Sequence, residues 1–409
     1  MKRYWKIAVL VPFIILCIGT YYIEASGSVY PDFYLKLQSG NEKEASLVSL
    51  HAMYRNQPFT FNSEGSIYQN EQSFWESLEP KYYDAKELQK LQKEHRQFMR
   101  NKTEWNSFYE DDQVIGYVNI HTQNSSAEET SDSSFEVSVY NKKRNESSSF
   151  KVKLPQEKGN YSMGITDVQI VGQTMKLVTS NYKYNKYYRV NTGNNSITEI
   201  HLYTLDLDKE NITGDQMILS DASLDENIRI DILDVRDFKP TLQNHYAVFQ
   251  VAYSKKRVSE DAFTKYDRTN REFFVYDLQS NQQITIQAEP ISELLKGNNE
   301  LSFNYNGDEF YLTVWLEQMG VRIIRFNLTK NKIMNDLIVE SKQFQTDINS
   351  VSNMRIANER LYMRVSSKRG DPGLAIADLN TGGVVYQGVI SRKDNKELRN
   401  LLIDDINIE

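Results

Sequence analysis

The sequence predicts a mainly β protein: an N-terminal transmembrane helix, then an exported array of about 5–6 four-stranded units, with a short helical segment near 84–100. Three observations carry this. A basic, then apolar, N-terminus reads as a signal anchor. From about residue 106 the texture is short alternating strands separated by polar turns. An Asp or Asn followed closely by a strand recurs through that region at fixed places in the pattern. Composition agrees, with 40% hydrophobic and 25% charged residues and only 18 Gly and 8 Pro in 409. Collagenous, low-complexity and wholly disordered chains are excluded, because such chains lack the apolar content for a core.

The elements follow in order. Lys2, Arg3 and Lys6 precede an apolar run over 7–23, interrupted by Pro12, Gly19, Thr20, Tyr21 and Tyr22. Counted from Trp5 the run has 19 residues, close to the ~20 that cross a bilayer. Tyr4 and Trp5 at one end and Tyr21 and Tyr22 at the other suit the headgroup level. Positive charges inside then place residues 1–6 in the cytoplasm and everything beyond the anchor outside. The residues before a cut (Ile23-Glu24-Ala25) suit signal cleavage poorly, and Leu16 before Cys17 does not suit a lipoprotein site. Residues 24–45 read as a stalk and 46–105 as a strand-plus-helix lead-in. In the lead-in, Leu88, Leu91, His95 and Phe98 fall on one helical face. The last stretch, 391–409, reads as a helix and tail, with Leu398, Leu401 and Leu402 at helical spacing.

Between them, 106–390 repeats a strand, loop, strand, turn and strand. The turn positions Asn141, Asp206, Asp277, Asn327 and Asp378 are 65, 71, 50 and 51 residues apart. Extended middle loops near 182–196 and 254–270 account for the longer spacings. Asp or Asn suits these turns because its short side chain bonds the backbone two residues on. Four strands per unit of about 50 residues resembles β-propeller blades. The Trp-Asp mark of WD40 repeats and the paired glycines of kelch repeats are missing, so the resemblance names no specific family. It implies units that bury their faces only by packing on neighbours. Strands at 46–68 would supply a further unit, alone or closed by a C-terminal strand. A stack of β-sandwiches is the competing architecture.

Charge and cysteine narrow the setting. The net charge is −7; without Lys2, Arg3 and Lys6, 45 basic residues face 55 acidic ones, −10. That balance argues against nucleic acid and anionic lipid as partners. The single Cys17 excludes a disulfide framework and cysteine-rich zinc modules. An exported part without cysteine fits a Gram-positive cell envelope. Seven N-x-S/T sequons are explained by a chain rich in Asn, Ser and Thr.

Motifs for chemistry are sparse. His51, His95, His121, His201 and His245 form no local metal pattern. Asp206, Asp208 and Glu210 start like a calcium loop, but Asn211 stands where glycine is required, so a hairpin turn is the better reading. Asp221, Asp225, Glu226, Asp231, Asp234 and Asp237 need not converge on a metal. Gly159 to Gly164 has the wrong spacing for a nucleophile elbow. No cofactor, metal or catalytic residue is expected, and an enzyme is the less favoured class. For the alternative, an exported glycan hydrolase, Asp167, Asp231, Asp234 and Asn304 are the residues to inspect for paired acids. The binding candidates are Tyr182, Tyr184, Tyr187, Tyr188 and Arg189, rings and a cation suited to stacking on sugars or meeting anionic wall polymers. A plain hairpin that uses tyrosine for its strand preference is the competing reading. The expected function is a membrane-anchored extracytoplasmic binding or regulatory module whose partner is a membrane or envelope protein, or a cell-wall glycan.

Overall fold

The computed structural model describes residues 12, 30–69, 83–121, 133–155, 160–184, 196–223, 227–235, 243–258, 264–286, 288–296 and 301–408. They form six antiparallel sheets, an arrangement that fits a propeller-like fold, and two compact units, 82–338 and the remainder.

The 82–338 unit opens with helix α1, Tyr83–Glu94, whose Leu91 packs with Phe98, Met99, Phe108, Ile115 and Tyr117. Four meandering sheets follow. The second sheet of the chain is Phe108–Glu110, Val114–His121, Ser134–Asn141 and Glu146–Lys153. The third is Asn160–Val171, Thr174–Tyr184, Ser196–Asp206 and Asn211–Ser220. The fourth is Ile228–Asp234, Tyr246–Val258, Thr264–Asp277 and Gln282–Ile284, and the fifth Leu301–Asn306, Glu309–Leu316, Gly320–Asn327 and Lys332–Glu340. Alternation puts one set of side chains on each face, and the core lies in layers between consecutive sheets. Phe135 and Val137 meet Leu177 and Tyr203; Val178 and Leu202 meet Phe249 and Tyr276; Val248 and Phe273 meet Phe310 and Phe326. Helix α2, Glu289–Lys296, adds Ile291, Leu294 and Leu295 to the last layer. Buried Arg271 donates from Nε to the carbonyl of Leu295 at 3.2 Å, giving an acceptor of the helix C-terminus its donor.

The other unit holds the first and sixth sheets. The first is Leu401–Ile408, Val48–Tyr54, Gln57–Phe61 and Ser66–Tyr68, so the end of the chain supplies a strand beside residues 48–54. The sixth is Ile348–Ala357, Arg360–Ser367, Pro372–Asp378 and Val384–Arg392, extended by Phe33–Gly40 paired to Val384–Arg392. One core spans both sheets, with Phe33, Leu50, Phe59, Phe61, Tyr68, Tyr386, Ile390 and Ile406 buried together. Phe59 stacks on Tyr68 at 4.6 Å and on Phe33 at 5.1 Å.

The turn marks do what their chemistry suggests. The side-chain oxygen of Asn141 accepts from the amides of Lys143 and Arg144, Asp206 from Asp208 and Lys209, Asp277 from Gln279 and Ser280, and Asp378 from Asn380 and Thr381. Asn327 accepts from the amide of Lys330 at 2.8 Å. Four residues after each mark the backbone turns left-handed: Asn145, Glu210, Asn281, Asn331 and Gly382, with φ of 54°, 54°, 57°, 48° and 69°. One local device therefore closes a hairpin in five sheets.

Four expectations are corrected. The transmembrane helix is not found: among the described residues no helix is long and apolar enough to cross a membrane. The longest described helix, α1, has 12 residues and spans about 18 Å, short of the ~30 Å hydrocarbon core. Apart from Pro12, the run at 7–23 lies outside the described residues. The stalk contains a strand, Phe33–Gly40, which pairs with Val384–Arg392 and whose alternating Phe33 and Leu35 bury in the core shared with the first sheet. The C-terminal helix is the strand Leu401–Ile408, held by pairing with residues 48–54. The loop near 254–270 is largely strand, its arms paired from Tyr253↔Asn270 out to Val258↔Thr264.

Candidate functional site

Two of the candidate tyrosines fall in the third sheet. Tyr182 and Tyr184 lie in Thr174–Tyr184, opposite Thr198 and Ser196. Tyr182 is 37% exposed. The side chain of Tyr184, and Tyr187, Tyr188 and Arg189 altogether, lie outside the described residues. Beside Tyr182 these paired strands carry a polar network that sequence reading did not single out. Lys183 Nζ pairs with Glu199 Oε2 at 2.6 Å, and the two ring nitrogens of buried His201 meet Glu199 at 3.0 Å and Asp215 at 2.8 Å. Only a ring with a proton on each nitrogen donates to both carboxylates. Glu199 is subject to burial, which raises its carboxyl, but the hydrogen bonds from Lys183 and His201 outweigh it and hold it below the ordinary range. Thr179 donates to Asn181, which donates to Tyr203. The network cross-links three strands.

Of the four residues proposed for acid chemistry, the structure brings two together. Asp167 and Asp234 both line a small cleft with Thr166, Asn244 and Tyr305. Asp231 is not there; it pairs with Arg229 at 2.7 Å. Asn304 is buried in its strand. Asp167 accepts from Gln169 Nε2 at 3.0 Å, and Gln169 in turn accepts from the amide of Asn244. The cleft encloses about 30 Å³, room for a water molecule rather than a sugar ring. Asp206 is committed to its turn and to Lys209 at 2.9 Å, which lowers its carboxyl. Among the described residues no group of three His, Cys, Asp or Glu is arranged to hold a metal ion.

A cavity of ligand size lies at one end of the sixth sheet. It encloses about 440 Å³, within the ~300–1,000 Å³ of small-molecule sites. It is lined by the Ser367–Pro372 turn, by the segment entering Ile348–Ala357, and by Gly373, Gln387 and Gly388. Gly373 is required there: a Cβ would stand 2.5 Å from the carbonyl oxygen of Gly388, so the strand carrying Gly388 comes this near only because Gly373 has no side chain. Buried Gln387 accepts from the amide of Gln345 at 2.7 Å and donates to Thr346 at 3.0 Å, holding the entry segment. Lys368 pairs with Asp347 at 3.1 Å, and Arg369 and Asp371 also line the cavity, so its charged lining balances to zero. Hydroxyl, amide and charged groups around two glycines suit a neutral, polyhydroxylated ligand. These residues carry no motif; only the fold assembles them.

No protein family and no characterised relative matches the sequence. Among solved structures the chain is similar to an ulvanlyase of a new polysaccharide lyase family, at 7% identity, covering 91% of this chain and 94% of that one, with TM-score 0.35. It is also similar to a sialidase of Trypanosoma rangeli in complex with sialic acid, at 7% identity over 69% and 52% of the two chains, TM-score 0.28. A puromycin-hydrolyzing peptidase of Mycobacterium tuberculosis matches at 9% identity over 66% and 34%, TM-score 0.26. Similarity this distant assigns the chain to none of them.

Proposed function

We propose that the protein is an extracytoplasmic binding module whose propeller-like sheets present a pocket to a wall glycan. The observation that supports this is the charge-balanced cavity lined by Gly373 and Gly388, of a size for sugar residues and rich in groups that bond hydroxyls. The exposed ring of Tyr182, in the other unit, is a separate candidate for stacking on a sugar face. The hydrolase reading is weakened by the ~30 Å³ cleft between Asp167 and Asp234.

The test measures binding of the full chain to purified cell-wall glycan by sedimentation or calorimetry. Replacing Asp347→Ala together with Arg369→Ala removes one charge of each sign from the cavity, leaving net charge unchanged. Binding should weaken about tenfold, the loss of one or two hydrogen bonds to charged groups. Equal binding by the double variant and the parent would refute the cavity's role. Retention of an envelope protein in place of glycan would refute the ligand class.

A further inference from the structure

A second concavity lies in the same unit and has a different character. Tyr54, Arg55, Arg392, Asn395, Lys396, Glu397, Arg399 and Asn400 line an open cup of about 540 Å³. Four cationic side chains face one carboxylate, +3, or +2 when neighbouring Asp394 is counted, on a chain whose net charge is −7. An acidic protein that gathers four cations at one point has a local field opposite to its overall one.

The cup is built, not incidental to a mobile tail. Arg55 and Asn56, with φ of 49° and 65°, make the tight left-handed turn between Val48–Tyr54 and Gln57–Phe61. The amide of Arg55 bonds the carbonyl of Asn400 at 3.4 Å, tying this turn to the opposite wall. That wall is shaped by left-handed Asn395 and Asn400. On the floor, the guanidinium of Arg392 lies 5.8 Å from the ring centroids of both Phe33 and Tyr54 and forks onto Asp394 at 2.6 Å and 2.9 Å. Only a tenth of that side chain is exposed, so water screens its charge poorly.

The four cations are unequally engaged. Arg392 is committed to Asp394, and Arg399 pairs with Glu397 at 2.5 Å on the surface. Lys396 reaches Asp394 only at 3.9 Å. Arg55 stacks on Tyr54 at 5.4 Å, and among the described residues no carboxylate pairs with it. Exposed ion pairs such as Arg399–Glu397 contribute little and exchange readily. Arg55, Lys396 and Arg399 are thus available around the fixed Arg392–Asp394 pair, whose own charges cancel. Guanidinium forks fit the paired oxygens of carboxylate and phosphate groups.

We infer that this cup is an oxyanion-binding site that takes a carboxylate or phosphate group of a polyanionic chain. It is independent of the cavity near Gly373, which carries no net charge. An anionic wall polymer would meet the cup by its charges and not by its hydroxyls.

The test titrates the full chain with an oligomer of glycerol phosphate and with an oligogalacturonate, at low salt and at about 0.15 M salt. Both should bind, more weakly at the higher salt; binding of the phosphate oligomer alone identifies a phosphodiester, and of the uronate alone a carboxylate. Arg55→Gln with Arg399→Gln should weaken the bound polymer about tenfold. Arg229→Gln with Arg322→Gln removes two charges elsewhere and should leave affinity within about twofold. Equal loss in both pairs, or no loss in the cup pair, would overturn the site. Neutral glycan binding should survive in the cup variant, and polyanion binding in the Asp347→Ala, Arg369→Ala variant. Failure of one site therefore leaves the other interpretable.

Discussion

Replacing Glu210 with asparagine should make the protein more stable. Glu210 occupies the left-handed position that Asn145, Asn281, Asn331 and Gly382 hold in the other four turns. A left-handed backbone costs an ordinary L-residue about 1–2 kcal/mol, and asparagine less, because its short amide bonds locally. The Glu210 side chain is exposed, and no hydrogen bond or ion pair of it offsets that cost among the described residues. Glu210→Asn should therefore recover about 0.5–1 kcal/mol. Glu210→Gly should recover less, since glycine's extra freedom in the unfolded chain takes back about 0.5–1 kcal/mol. Asn331→Ala should cost about 1 kcal/mol from handedness, and somewhat more because it also removes the long 3.4 Å hydrogen bond from Asn331 Nδ2 to the carbonyl of Thr285. Urea unfolding of the full chain, with hydrogen exchange at the Asn211–Ser220 amides as a local probe, reads all three. A neutral or destabilising Glu210→Asn alongside a neutral Asn331→Ala would refute the idea that backbone handedness, and not side-chain contact, sets these turns.

Other outcomes follow from the same geometry. Asp221 is held above the ordinary carboxyl range, first by burial and also by Asp231 and Glu199, although the amide of Thr198 donates to it at 2.8 Å. Its raised folded pKa means the stability it contributes is full below the unfolded value and is lost as pH rises through the folded one. Asp221→Asn should gain stability over the parent at neutral pH and not at pH ~3; parallel pH profiles would sink this. Arg271→Met should cost about 2–3 kcal/mol, since the carbonyl of Leu295 loses its donor, and should speed amide exchange in α2; unchanged exchange there would count against the capping role. Gly373→Ala should destabilise by about 1–3 kcal/mol through its clash with Gly388, and a wild-type urea midpoint would contradict the close approach. An extracytoplasmic location predicts that protease added to intact cells cleaves the protein, and full protection would exclude it.

Much of the array was readable because its information is local. Asn141, Asp206, Asp277, Asn327 and Asp378 each satisfy amides within three residues, so composition and spacing betray the turn. The strands at both ends were misread for the opposite reason. Phe33–Gly40 pairs with Val384–Arg392, a partner that leaves no trace in the neighbouring sequence; Leu401–Ile408 pairs with Val48–Tyr54, the closure by a C-terminal strand that the incomplete 46–68 unit allowed, although the local leucine spacing read as a helix. Leu398, Leu401 and Leu402 have helical spacing, yet Leu402 is 60% exposed and the apolar residue the strand buries is Ile406. Helix α2 is only eight residues and was hidden among polar segments. The cup escaped because Arg392, Lys396 and Arg399 resemble the solvated face of a helix until Arg55 is brought against them.

The pairing of Leu401–Ile408 with Val48–Tyr54 has a consequence for synthesis. A ribosome delivers residues 48–68 early, but their sheet lacks a strand until residues 401–408 emerge. The Phe33–Gly40 strand waits likewise for residues 384–392. The 82–338 unit contains its own partners and can fold during elongation, whereas the unit that starts first finishes last. For that interval the edge of Val48–Tyr54, and the aromatic cluster behind it, stand open to other chains. Stalled or truncated products should thus aggregate through the beginning of the sequence, though the missing part is its end.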